Sequence, residues 1–145
     1  MEILNKINKI KNPIDTLSLE QEIIFKKYLN GENIFITGPG GTGKSHLIKA
    51  IYYDSENKGK KIKVCALTGC AAILLKCKAT TLHSFAGIGL ANKSIEEVIR
   101  YVLDNKQKHK NWKGIDILII DEVSMLSLKL LLIIDQIARK IYNKP

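Results

Sequence analysis

The feature that most constrains this chain is the stretch at 38–45: Gly38, Pro39, Gly40, Gly41, Thr42, Gly43, Lys44 and Ser45. It fits the pattern G-x-x-x-x-G-K-[ST], whose glycines let backbone N–H groups turn inward around phosphate oxygens at the positive end of a following helix. The apolar run at 33–37 reads as a buried strand, and the residues after the loop read as an amphipathic helix through about Tyr53. Strand, glycine loop and helix in that order point to a nucleoside-triphosphate site. Lys44 is expected to reach the β and γ phosphates and the Ser45 hydroxyl to bind Mg²⁺, so ATP and Mg²⁺ are the expected cofactors.

The remaining pattern extends the α/β reading. Ser18 with Gln21 three residues on makes a capping-box signal for a helix that runs to Gly31. Runs 62–67 and 115–120 read as strands, 71–76 as a short helix, and 94–103 as a helix capped by Ser94. Strands apolar throughout and alternating with helices imply a parallel sheet with helices on both faces. Ligands of such sheets bind at the carboxyl ends of the strands, where both the glycine loop and the acidic pair after 115–120 are expected. Residues 1–16 read as a loosely attached leader, with a helical period in Ile3, Ile7 and Ile10 that Pro13 stops.

Size and composition agree. A domain of 145 residues buries about 68–70% of its unfolded surface, and 46% apolar content is ample for a core. No apolar run approaches the roughly 20 residues of a membrane span, and the N-terminus lacks the features of a signal peptide. Cys65, Cys70 and Cys77 read as free thiols of an intracellular, reducing compartment; with His83 they lack the CxxC pair of a zinc site. The balance of 23 Lys+Arg against 14 Asp+Glu favours a polyanionic partner.

Asp121 and Glu122 follow the apolar run Leu118, Ile119 and Ile120. A carboxylate at the end of a buried strand near a glycine loop suits a metal, and its neighbour suits orientation of an attacking water; Asp121 is assigned to Mg²⁺ and Glu122, with Lys44, to catalysis. Between the two motifs lie Thr68, Gly69, Cys70, Ala71 and Ala72, and the run 80–90 with Thr81, His83 and Phe85. Small residues and a threonine at a strand-to-helix turn suit backbone phosphates, and His83 and Phe85 offer planar faces for bases. The competing reading makes Phe85 a core residue and His83 a satisfied buried histidine.

The series LSLEQ (17–21), GPGGTGKS (38–45), LTGCAA (67–72), TTLHSFAGIGL (80–90), Trp112 and LIIDEVSM (118–125) resembles, in order and spacing, the petite-integration-frequency (Pif) family of superfamily 1B DNA helicases. The likeness spans about residues 17–145, and TLHSFAGIGL is its most specific part. Pro39 departs from the alanine or serine of the family at a variable loop position. The resemblance implies a P-loop, RecA-like motor domain 1 over 17–145. It implies that Gln21 reads the adenine edge, in competition with its capping role, and that Thr68, Thr81, His83 and Phe85 line a single-stranded DNA path. A small strand-separating element would occupy about 88–112, with Lys106, Lys108, His109 and Lys110 as a basic cluster. The second motor domain, which supplies arginines to the γ-phosphate, would lie outside these residues. The expected function is a monomeric, ATP-dependent 5′-to-3′ helicase in DNA repair, recombination, replication or telomere maintenance. The alternatives are a RecD-like or AAA-type ATPase, or a module that binds nucleotide or DNA without turnover.

Overall fold

The computed structural model describes residues 12–89 and 92–145, and the chain divides into two compact units, Met1–Lys60 and Lys61–Pro145. The predicted helical period at Ile3, Ile7 and Ile10 lies outside the described residues.

In the first unit, a 3₁₀ turn over Pro13–Thr16 precedes α1 (Leu19–Leu29) and α2 (Lys44–Asn57). The capping box of α1 forms as predicted: the Gln21 N–H donates to Ser18 Oγ at 3.3 Å, and the Ser18 N–H donates to Gln21 Oε1 at 2.8 Å. Acidic Glu20 and Glu22 in the first turn and basic Lys26 and Lys27 in the last match the helix dipole. The two helices are in contact, and Phe25 and Tyr28 of α1 and Leu47, Ile48 and Ile51 of α2 are buried. The Tyr28 hydroxyl is fixed on α2, donating to Asp54 Oδ2 at 2.7 Å and lying 2.9 Å from Ser55 Oγ. Burial raises the Tyr28 pKa above the ordinary tyrosine value.

Two expectations change here. Residues 33–37 form no strand: Phe35 is 78% exposed, and among the described residues of this unit there is no ladder. An apolar run becomes a strand only when a neighbour accepts and donates its backbone hydrogen bonds, which local sequence cannot supply. Nor is the whole of 1–16 loose, because Thr16 Oγ1 sits 2.9 Å from His46 Nε2 on α2 and so anchors the 3₁₀ turn.

In the second unit, β1 (Ile62–Ala66), α3 (Gly69–Leu75), β2 (Thr80–Thr81), α4 (Leu82–Ala86), α5 (Ile95–Asp104), α6 (Lys106–Trp112), β3 (Ile117–Ile120) and α7 (Leu128–Tyr142) follow in turn. The sheet is parallel with order β2-β1-β3, pairing Ala66 with Thr81 and Cys65 with both Thr80 and Ile120. The predicted burial of every strand holds only for the C-terminal part of β1, where Val64, Cys65 and Ala66 are at most 1% exposed. β3 is half-buried along its length, because it is the edge of this three-stranded sheet.

The core joins Leu82, Phe85 and Ala86 of α4 to Val98, Ile99 and Val102 of α5, Trp112 of α6, and Ile133, Ile134 and Ile137 of α7. Each large aliphatic side chain so buried contributes about 1.5–3 kcal/mol of transfer free energy. In α5 the apolar positions recur at i, i+3, i+4 and i+7 from Ile95, behind a Ser94–Glu97 capping box. The hydrogen bonds of that box hold the Glu97 carboxyl below the usual carboxylate range. Of the predicted inserted element at 88–112, Ile88, Val98, Ile99, Val102 and Trp112 belong to this core.

Candidate nucleotide site and nucleic-acid edge

The glycine loop owes its shape to backbone conformations that side chains disfavour. Gly41 and Gly43 have φ of +81° and +82°, and a Cβ on Gly43 would lie 2.4 Å from Gln21 Nε2. Gly43 is the N-cap of α2 and supplies no side-chain acceptor, so the first N–H groups of that 14-residue helix face the loop without a cap. This is the local arrangement that anions favour. Lys44 folds across the loop, its Nζ donating to the Gly38 carbonyl at 2.8 Å and to Pro39 at 2.9 Å. Thr42 Oγ1 donates to the same Pro39 carbonyl at 2.9 Å. The ammonium is thus held at the loop by weak neutral acceptors, which a phosphate oxygen would outcompete.

Gln21 performs more than the capping role read from its spacing. Its Oε1 accepts from Ser18, and its Nε2 donates to the Gly43 carbonyl at 2.9 Å, tying the start of α1 to the loop. A carboxamide has two N–H donors and two acceptor lone pairs, so one of each remains for an adenine edge. Capping and base reading are compatible.

In the second unit, three parallel strands bring their carboxyl ends to one edge. From β1 come Thr68 and Gly69, and from β2 comes Thr81, followed by His83 in the first turn of α4. From β3 come Asp121 and Glu122. The Asp121 N–H donates to the Cys65 carbonyl at 2.8 Å, which extends the β1–β3 pairing to the acidic residue itself. Glu122 then turns into the left-handed region, with φ +56° and ψ +47°, and opens a 3₁₀ turn over Val123–Met125. For a residue with a Cβ this conformation costs about 1–2 kcal/mol; it reverses the chain so that the exposed Glu122 follows the half-buried Asp121.

Thr68 and Thr81 play the same local part. Each is an N-cap, accepting from Ala71 N–H at 3.3 Å and from Ser84 N–H at 3.2 Å. His83 is exposed, so the buried-histidine reading is set aside. The expectation that Phe85 offers a stacking face is corrected: Phe85 is 5% exposed and packs against Trp112 with ring centroids 4.8 Å apart. At three residues from Leu82 on a one-turn helix it shares the buried face. The basic cluster is corrected in part. Lys106 and Lys110 are exposed, whereas Lys108 turns inward, its Nζ donating to the Gly87 carbonyl at 2.8 Å and lying 4.1 Å from the centre of the Tyr101 ring. That ammonium lowers the Tyr101 pKa.

Residues that sequence reasoning missed line a cavity of about 180 Å³ at this edge: Leu67, Met125, Ser127, Lys129, Leu130 and Ile133 surround it beside His83. They come from separate segments, so no single motif announces them.

A parallel α/β unit with an acidic pair closing one strand, together with a glycine loop opening a helix, defines the P-loop nucleotide-binding class with a RecA-like fold. The family model for PIF1-like helicases matches residues 16–145, and the chain belongs to that family. It is 42% identical to the ATP-dependent DNA helicase PIF1 of Saccharomyces cerevisiae over 139 residues, covering 92% of this chain and 15% of that protein. The crystal structure of Pif1 helicase from Candida albicans superimposes with a TM-score of 0.80 at 39% identity, over 88% of this chain and 29% of that one. The crystal structure of Bacteroides Pif1 bound to ssDNA does so with a TM-score of 0.64 at 30% identity, over 89% and 29%. The chain spans between about an eighth and a fifth of the length of the curated relatives it matches.

Proposed function

We propose that these residues are the nucleotide-binding part of an ATP-dependent DNA helicase that moves 5′-to-3′ on single-stranded DNA, acting as a monomer together with a second motor domain. The observation that carries the reading is the uncapped start of α2 with Lys44 held across the loop by neutral carbonyls. Backbone N–H groups of 40–45 would hold the phosphates, Gln21 would orient the base, and Lys44 would move from the carbonyls to the β and γ phosphate oxygens. The Ser45 hydroxyl and the Asp121 carboxylate are hard oxygen donors and fit Mg²⁺, which would neutralise phosphate charge when bound. Glu122 would accept the proton of the attacking water. Thr68, Gly69, Thr81 and His83 would face the phosphates and bases of the DNA strand, in keeping with the relative solved with ssDNA.

Lys44→Ala tests the nucleotide half. Fluorescent ATP-analogue binding should weaken about 10- to 100-fold, the worth of charge-assisted hydrogen bonds, without a change in thermal midpoint. Undiminished binding would refute the assignment. Hydrolysis should be slow in the 145 residues alone and rise when the second motor domain is covalently present, since an arginine finger contributes about 10³–10⁵ in related reactions. For the DNA half, log affinity for a single strand should fall with log salt at about −0.7 per phosphate neutralised. A flat response would remove DNA from the reading.

A further inference from the structure

α4 is a helix of five residues, too short to persist by its own hydrogen bonds, yet it carries Thr81 at its N-cap and His83 in its turn. What holds it comes from α6. The last carbonyls of a helix have no partner within it. Here three consecutive ones are each met by a different α6 side chain: Asn111 Nδ2 donates to Phe85 O at 3.4 Å, Trp112 Nε1 to Ala86 O at 3.3 Å, and Lys108 Nζ to Gly87 O at 2.8 Å. The Trp112 ring also packs on Phe85, and the Lys108 stem lies so close to Gly87 that a Cβ there would meet Lys108 Cγ at 2.9 Å. Gly87 itself closes α4, with φ +68° and its N–H donating to His83 O at 3.0 Å.

From this convergence we infer that Lys108, Asn111 and Trp112 are positioning residues that set α4, and with it Thr81 and His83, for contact with single-stranded DNA; the inference rests on the DNA reading of that edge. Lys108 acts inward, through a carbonyl and the Tyr101 ring, not as a phosphate ligand. The neighbouring Lys106 and Lys110, both exposed, are the lysines free to meet phosphates.

Two measurements on the 145-residue chain test this with Lys108→Met, which keeps the stem and removes the ammonium. Amide hydrogen exchange at Gly87 should speed up about tenfold, as expected for losing a charge-assisted bond, with α7 unchanged; Lys108→Arg should restore most of the protection. Affinity for a single-stranded oligonucleotide should fall about three- to tenfold while its salt slope stays that of the unsubstituted chain. A slope smaller by about 0.7 would make Lys108 a phosphate ligand and overturn the inference. Unchanged exchange at Gly87 would overturn it without reference to DNA. If the unsubstituted chain fails to bind the oligonucleotide, the DNA reading falls and this inference with it. The exchange result separates that case from a missing brace.

Discussion

The phosphate loop and the carboxyl edge of the sheet carry comparable numbers of candidate site residues, but they are built in opposite ways. The loop is local: eight consecutive residues, two left-handed glycines and one uncapped helix start set its shape, and among the described residues Gln21 is the one side chain hydrogen-bonded to it from outside. The edge is assembled. Thr68, Thr81 and Asp121 lie at the ends of three strands and His83 at the start of α4, and their alignment depends on a core to which α4, α5, α6 and α7 all contribute. A locally built site should survive damage to packing that an assembled one does not.

The sharpest way to break that contrast is Ile133→Ala, at a fully buried position of α7. It should cost about 2–5 kcal/mol in denaturant unfolding. Single-strand binding should weaken far more than ATP-analogue binding, and equal losses would show that the two regions are not independent. Next is pH. Burial pushes the Cys65 thiol up to about 11, so the folded state favours the neutral form; the resulting stability is complete below the unfolded thiol value and is lost as pH rises toward 11. The expected loss is about 2 kcal/mol between pH 8 and 11, borne by the second unit, and Cys65→Ala should abolish that part of the slope.

Gln21→Ala removes the reciprocal half of the α1 capping box and the link to Gly43, and should cost about 1 kcal/mol in thermal unfolding. Its diagnostic effect is on preference: discrimination between ATP and GTP analogues should shrink while triphosphate binding persists. The smallest effect is expected from Glu122→Gly, which relieves a left-handed backbone at the cost of chain entropy. Stability should stay within about 1 kcal/mol of the parent, while turnover in the two-domain protein falls.

Legibility follows the same division. The capping box at Ser18, the helix cap at Ser94 and the loop glycines are readable because each is settled within four residues, whereas the N-cap role of Thr68 and Thr81 appears only in the structure. The run at 33–37 misleads because strand formation depends on a partner elsewhere in the chain. Phe85 looks like a stacking face beside His83, and only its contact with Trp112, 27 positions away, makes it core. Lys108 looks like its lysine neighbours, since direction of a side chain is set by packing and not by composition. Of the candidate site, the left-handed glycine loop ahead of α2 and the place of the acidic pair at the end of β3 are legible, whereas the cavity beside His83 is not.

The crowding at Gly43 also has a reading for deep mutational scanning. That position has two reasons to favour glycine, a left-handed backbone and the Gln21 carboxamide that a Cβ would push aside, whereas Gly40 in the same loop has neither a positive φ nor any atom within 4 Å of the place a Cβ would take. A saturation library selected for folding alone should therefore be enriched in glycine at 43 and accept many residues at 40. Any further narrowing at 40 under selection for ATP binding would map the approach of the nucleotide itself.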